Sequence, residues 1–439
     1  MAVIQLTDNS SRKWSDPEIA DDYPNLRLIA NRSITELVQQ APNLLIFPHS
    51  LQAGKDKLGK ESVLSLMPCS GGYQVSTGNI MGFIGINDTQ LSITSRFARN
   101  HEAEGDYFLH YLLSRVSAVN LFDWEHEVSN HTIFDFLIYL FPRYLNDALS
   151  QGLYKEYQHR EYNDANVRGT IDVSRHIRRN IPFSGRIAYR TREFSYDNVI
   201  TQLIRHTIEY IRRHRLGHAV LSSNADTESF VQQIVEATPG YSLRDRQQIV
   251  NRNLRPKRHP YFWKYAELQR LCLQILRQEA LKYGAAEDKV YGVLFDGAWL
   301  WEEYLALLLK EVGFQHPQNK ERKGSIHLFT NSRRYPRYPD YYREDEVWDA
   351  KYKHLSTNET IDRNDMHQLI AYMHHFKALQ GGFICPHKGT LQPTQEPIGT
   401  LKGHGGDVRL LKVGIPTCDD WSSFCQEMNQ TESRIKGLF

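Results

Sequence analysis

Apolar and polar residues alternate in short runs over the first hundred positions, and at helical spacing thereafter. The first run to stand out is a predicted helix over Ser33–Gln40. Strand-like runs follow at Leu44-Leu45-Ile46-Phe47, Gly72–Val75, Ile80–Ile86 and Gln90–Thr94. Gly71-Gly72, Gly78-Asn79 and Asn87-Asp88 separate them as turn signals. The texture then changes. Asp106–Asn120 and His131–Gln151 read as amphipathic helices, the second kinked or split at Pro142. Gly185–Arg190 alternates like a strand. A long helix runs to Arg215 from an N-cap at Asp197 or Asn198, and another covers Trp263–Tyr283. A third, from Phe295-Asp296 through LALLLKEVG, stops near Gly313.

Beyond it the pattern predicts a hairpin, a third strand or loop, a helix around Asp365–Tyr372, and strands near 381–386 and 408–415. A helix over Trp421–Arg434 closes the chain. Residues 387–406, rich in Gly, Pro and Thr, read as a loop insertion. The fold class is a multidomain α+β protein. Residues 1–105 form a small β-rich domain, 106–285 a mainly helical middle region, and 286–439 a C-terminal α/β domain. The polar, small stretch Gly284–Asp288 marks the last boundary.

Charge sharpens this division. The 439 residues carry a net charge of only +2. Gln151–Ala285 nevertheless holds 23 lysines and arginines against 13 acids, so the rest of the chain is net acidic. Arg168, Arg175, Arg178, Arg179 and Arg192 lie among tyrosines and phenylalanines there. They are candidates for nucleic-acid or partner contacts, although a solvated helix face carries the same pattern. Five cysteines without a C-x-x-C pair suit a reduced, cytoplasmic protein. The N-terminus has no secretory or transit pattern, and no apolar run approaches the roughly 20 residues of a membrane helix. No G-x-x-x-x-G-K-[ST] run is present, so a nucleotide-driven motor would have to be another chain.

The chemistry concentrates in Pro339–Lys353, PDYYREDEVWDAKYK. Pairing its two halves around Glu344 and Asp345 sets Asp340 directly opposite Asp349. Asp349 and Lys351, two apart, share a face. Two carboxylates and an ammonium on one patch suit metal-assisted phosphodiester hydrolysis, with oxygen ligands for Mg2+ or Mn2+ beside a cation. A D-x-K triplet by itself is also what a solvated hairpin carries. Two flanking features add to it: Glu302 and Glu303 on the preceding helix, and Gln368 with Tyr372 four apart on the following one.

In this order, helix glutamate, P-D, D-A-K and Q-x-x-x-Y resemble the PD-(D/E)xK nucleases, in the branch with RecB-like members. The resemblance extends further. LSITSRF at 91–97, RGTIDVSRHI at 168–177, REFSYDNVITQLIR at 192–205, FDGAWLWEEYLALLL at 295–309, YPDYY at 338–342 and VWDAKYK at 347–353 together resemble the McrC family. That family supplies the nuclease subunit of McrBC-type 5-methylcytosine restriction systems. The resemblance implies a Mg-dependent DNA endonuclease that docks on a McrB-like AAA+ GTPase hexamer, stimulates it, and cuts methylated DNA. It implies Asp340, Asp349 and Glu302 as metal ligands, Lys351 as the catalytic lysine, and Gln368 and Tyr372 as supporting residues. Glu302, directly after Leu300-Trp301, matches the helix acid better than Glu303. A non-cleaving adaptor of the ring and a stand-alone repair nuclease are the alternatives.

Overall fold

A computed structural model of the chain describes residues 2–15, 23–41, 44–48, 61–87, 89–98, 106–116, 134–214, 217–255, 259–282, 290–317, 324–356, 361–389, 391–403 and 405–439. The expected boundary at Gly284–Asp288 lies outside them, as do the ends expected for two helices at 117–120 and 131–133. The chain forms two compact units, residues 1–133 with 284–439, and residues 134–283. The compact units divide at 133/134 and at 283/284, the second beside the expected 285/286, and the first and last portions expected as separate domains fall in one unit. One strand explains the difference.

The first unit begins with β1 (Ala2–Thr7), β2 (Ser11–Ser15), α1 (Tyr23–Leu26), α2 (Ile34–Gln40) and β3 (Leu44–Phe47). It continues with β4 (Leu64–Cys69), β5 (Gly72–Thr77), β6 (Ile80–Ile86), β7 (Thr89–Thr94) and α3 (Tyr107–Val116). Ser33 caps α2, and Glu36 completes the reciprocal bond, so the helix starts where a capping box places it. β2, β5 and β4 make a three-stranded antiparallel sheet.

The larger sheet has the order β1-β7-β6-β11-β3, where β11 (Val290–Asp296) follows the second unit in sequence. It pairs antiparallel with β6, Val293 opposite Phe83, and parallel with β3, Leu294 opposite Ile46. Strands covered on both faces need continuous apolar runs, and the central β6 and the end strand β3 are both buried at every position. Leu294 joins Ile46, Ile84, Leu91 and Ile93 in one core.

Asp296 ends β11 and caps the next helix, α11 (Gly297–Glu311), accepting from the Ala298 and Trp299 N–H groups at 3.0 and 3.3 Å. Sequence periodicity absorbs Phe295-Asp296 into that helix; the structure assigns them to the strand before it. After β12 (Ile326–Phe329) and β13 (Ser332–Arg337), which form their own hairpin, a second five-stranded sheet is built. Its order is β14-β15-β16-β18-β17, from β14 (Tyr341–Arg343), β15 (Glu346–Ala350), β16 (Gln380–Lys388), β17 (Thr394–Thr400) and β18 (Asp407–Ile415). β15, β16 and β18 run parallel. The crossover from β15 to β16 is the helix Arg363–Phe376, whose Leu369, Tyr372 and Met373 pack with Val347, Phe383 and Leu410. The expected loop at 387–406 contains β17, an edge strand whose register shifts between Pro397 and Gly399. A proline is tolerated there because an edge strand leaves one row of donors unpaired. Trp421–Gly437 closes the chain as a helix.

Tyr352, just past β15, ties the two five-stranded sheets of this unit together. Its hydroxyl meets Ser95 Oγ at 2.9 Å, and the Arg96 guanidinium lies 4.8 Å from its ring centroid. Arg96 is in turn paired with the fully buried Asp8 at 2.7 Å. Glycine is required at 297 because a Cβ there would sit 2.7 Å from the Tyr352 ring.

The second unit runs from Phe134–Leu149, a single helix that continues through Pro142. It then forms a three-stranded sheet, β8 (Glu156–Asp164), β10 (Ile187–Ser195) and β9 (Thr170–Ile171), in that spatial order. The short helix Val173–Asn180 precedes β10, and the helix Val199–Arg212, capped by Asn198, follows it. Tyr265–Lys282 is the last helix of this unit. Among the described residues, no helix is long and apolar enough to cross a membrane.

Candidate active site

The site starts from the register of β14 and β15. Tyr341 faces Trp348, Tyr342 faces Val347 and Arg343 faces Glu346 around the two-residue turn Glu344-Asp345. One step further along the same register, Asp340 lies opposite Asp349. Asp340 Oδ2 accepts the Ala350 N–H at 2.7 Å, which holds the end of β14 against β15. Asp349 is 2% exposed, and its Oδ2 lies 2.6 Å from Lys351 Nζ. The crossover helix supplies the other wall. Gln368 Nε2 donates to Asp349 Oδ1 at 3.3 Å and approaches the Tyr372 hydroxyl at 3.4 Å, while that hydroxyl donates to the Tyr338 carbonyl at 3.3 Å. Asp340, Asp349, Lys351, Gln368 and Tyr372 are thus brought together.

The electrostatics follow from this crowding. Burial, and then the Asp349 charge, raise the Asp340 carboxyl well above the ordinary carboxylate range. Asp349 is also raised by burial, against the opposing pull of Lys351. Burial works to lower the Lys351 pKa, but the charges of Asp349 and Asp340 outweigh it and hold the ammonium above its ordinary value. Burial and the two carboxylates push the Tyr372 hydroxyl up to about 12.

The helix acids separate. Trp299 Nε1 donates to Glu303 Oε1 at 3.1 Å, which holds Glu303 along its own helix. Glu302 Oε1 lies 3.9 Å from His316 Nε2, and His316 Nδ1 donates to the Asp340 carbonyl at 2.7 Å. Glu302 therefore approaches the hairpin through His316. Among the described residues no three His, Cys, Asp or Glu side chains form a ready metal cage.

Two members of this constellation were not singled out from sequence. Asp365 Oδ1 and Oδ2 hold Lys351 and Lys353 at 3.1 and 2.6 Å. Their charges, together with the Lys353 hydrogen bond, outweigh burial and bring the Asp365 carboxyl below its ordinary value. Its spacing three residues before Gln368, on the same helix face, is the signal that could have found it. His316 leaves no such signal, since it follows the end of α11 as a lone histidine.

The arginines of the middle region prove unequal. Arg175 is buried, donates to the Tyr162 and Tyr189 carbonyls at 2.7 Å each, and is ion-paired with Glu161. It stitches the local sheet, so the structure removes it from the exposed contact surface. Arg178 donates to its own helix at the Ser174 carbonyl, and Arg192 lies 4.5 Å from the Tyr157 ring centroid. Arg168 and Arg179 are exposed.

Fold and site together define a multidomain α+β protein with an acid, acid and lysine centre at the edge of a mixed sheet. A family model described as "McrBC 5-methylcytosine restriction system component" matches residues 75–386. The chain belongs to that family. Among solved structures it is similar to a half-complex from a tetradecameric assembly of Thermococcus gammatolerans McrB AAA+ hexamers with bound McrC. The TM-score is 0.53 at 14% identity, covering 100% of both chains. It also matches a chain of the Thermococcus gammatolerans McrBC complex at 15% identity and a TM-score of 0.33, over 72% of this chain and 90% of that one. Comparison with curated proteins gave no match.

Proposed function

We propose that this chain is the DNA-cutting subunit of a modification-dependent restriction system, hydrolysing phosphodiesters at a PD-(D/E)xK core with Mg2+ or Mn2+. It works with, and stimulates, a McrB-like AAA+ GTPase hexamer, and its DNA is methylated. The observation that carries the reading is the convergence of Asp340, Asp349 and Lys351 under the Gln368–Tyr372 helix face. Family membership, and the McrB hexamers that accompany the similar solved McrC, support the partner.

The donor set fits a divalent cation. Two buried carboxylates, each raised by its burial and Asp340 further by the Asp349 charge, gain from a shared positive charge. Mg2+ keeps water and substrate phosphate among its ligands and needs only one or two protein carboxylates. Asp340 and Asp349 would hold it, and Glu302, beside His316, is the candidate further ligand. Bound there, the ion supplies Lewis acidity and a water of lowered pKa.

The remaining work belongs to the chain. Gln368 fixes the orientation of Asp349, and Tyr372 locks the helix to the Tyr338 carbonyl. Lys351 keeps its proton at Nζ and offers it to an anionic phosphoryl oxygen, as charge develops in the transition state. Asp365, 3.1 Å from Lys351 Nζ, gives the lysine a second acid partner besides Asp349.

The test is cleavage of methylated and unmethylated plasmid with Mg2+, by the chain alone and with a McrB-like partner plus GTP. Cutting is expected only in the full mixture on methylated DNA, and is lost in Asp349→Asn. GTP hydrolysis stimulated equally by parent and variant, with no cutting by either, would leave a ring adaptor instead.

A further inference from the structure

The hairpin of β12 and β13 leads directly into the site, and the proposed reaction does not use it. Ile326 pairs with Arg337 and Phe329 with Ser332, and these two strands form a sheet of their own. β13 reads SRRYPR and is exposed from Arg333 to its end. Arg333 and Arg334 meet no carboxylate among the described residues, and the one hydrogen bond of Arg337 goes to the neighbouring Pro336 carbonyl at 3.1 Å. Phe329 and Tyr335, 52% and 61% exposed, stand edge to face at 6.4 Å between ring centroids. Tyr335 adopts φ 64°, a left-handed conformation that few aromatic residues take. Arg190, by contrast, is tied to Glu161 and Asp172.

Three guanidiniums that meet no carboxylate among the described residues, with two exposed rings on the same two-stranded ribbon, match a polyanion that also offers flat apolar faces. Nucleic acid has both. The place agrees. Only Tyr338 and Pro339 separate Arg337 from Asp340, so their Cα atoms are at most about 11 Å apart, and Arg334 is within about 22 Å. At about 3.4 Å of rise per nucleotide, this spans several phosphates of one strand beside the bond to be cut. The base of the hairpin is fixed to the site by the Tyr372–Tyr338 bond.

We infer that the 326–337 hairpin is a DNA grip: Arg333, Arg334 and Arg337 neutralise backbone phosphates flanking the scissile one, and Phe329 and Tyr335 pack against the same strand. This rests on the nuclease reading of the neighbouring site and names the surface that delivers substrate to it.

The experiment uses the full chain with Asp349→Asn as the parent, so that binding is measured without cutting. Affinity for a short fluorescent DNA duplex is followed by anisotropy over a salt series, with and without the GTPase partner. Arg333→Gln, Arg334→Gln and Arg337→Gln are combined in one variant, and the three Arg→Lys changes in another. The Gln variant is expected to bind about tenfold or more weakly, with a log–log salt slope shallower by about 2 to 3. The Lys variant should keep most of the slope. Equal affinity and slope in parent and Gln variant would overturn the grip. So would a Gln variant that binds DNA normally but loses GTPase stimulation, since the hairpin would then face an acidic protein surface. A Lys variant as weak as the Gln variant would also overturn it. Salt-dependent binding by the parent together with cutting by wild type keeps the nuclease reading in either case. Absence of both would overturn that reading as well.

Discussion

Arginine is displayed on two β-ribbons of this molecule, and the two use it in opposite ways. Around β8 and β10, Arg160 faces Glu193, Arg190 faces Glu161 and Asp172, and Arg175 is sunk between two backbone carbonyls. On β13, Arg333, Arg334 and Arg337 meet no acid among the described residues. The first region carries the charge excess that sequence counting finds, and much of that charge is spent internally. The second belongs to a part of the chain whose net charge is negative, yet its guanidiniums are available. Available charge depends on neighbours across the strand, and net charge per region does not report it.

Substitutions can break or sharpen this contrast, and the largest effect is chemical. Asp349→Asn or Lys351→Ala should lower plasmid cleavage by about 10³-fold or more, the scale of a lost group that acts on developing charge. Stimulation of the partner's GTP hydrolysis should stay within twofold. Detectable cutting near the parental rate by either variant would remove the hairpin site from the chemistry.

Next comes stability in the middle region. Arg175→Ala removes a buried guanidinium's hydrogen bonds to the Tyr162 and Tyr189 carbonyls and should cost about 2 kcal/mol in denaturant unfolding, whereas Arg334→Gln should stay within about 0.5 kcal/mol. If the two were equal, the distinction between spent and available arginine would fail.

A smaller effect has the opposite sign. Because burial and Asp349 raise the Asp340 pKa, the folded metal-free protein binds a proton that the unfolded chain has released. Its stability should therefore fall as pH rises from the ordinary aspartate range, about 3.9, through the raised value. Asp340→Asn should flatten that fall and raise the neutral-pH melting temperature by a few degrees, roughly 1 kcal/mol, while removing cleavage. An unchanged pH profile in calorimetry would count against the repelling pair. Smallest is Asp365→Asn, which frees Lys351 on one side. A severalfold drop in turnover at unchanged DNA affinity is expected, and a drop in affinity alone would place Asp365 elsewhere in the mechanism.

How much of this was legible depends on what each residue's neighbours in sequence say. The hairpin register was readable because strand side chains repeat every two residues, which puts Asp340 across from Asp349 whatever surrounds them. Gln368 and Tyr372 were readable from one helical turn. β11 was not, because Val-Leu-Phe-Asp runs without a break into an apolar helix, and only its position between β6 and β3 reveals it as a strand. β17 was hidden by Pro397 and Gly399, residues an edge strand tolerates at a bulge. His316 and the pairing of Arg175 depend on contacts across 24 and 14 residues, which no local pattern encodes.

The strand Val290–Asp296 has a further implication for how this family can be recombined. It is hydrogen-bonded on one edge to residues 80–86 and on the other to residues 44–47, and its last residue caps the glutamate helix. A chimera spliced at residue 286 would thus ask a foreign strand to interleave with the host's front sheet. The C-terminal portion is not an exchangeable cassette. Grafts that carry 290–296 with its original partners, and switch parentage beyond α11, keep that sheet whole.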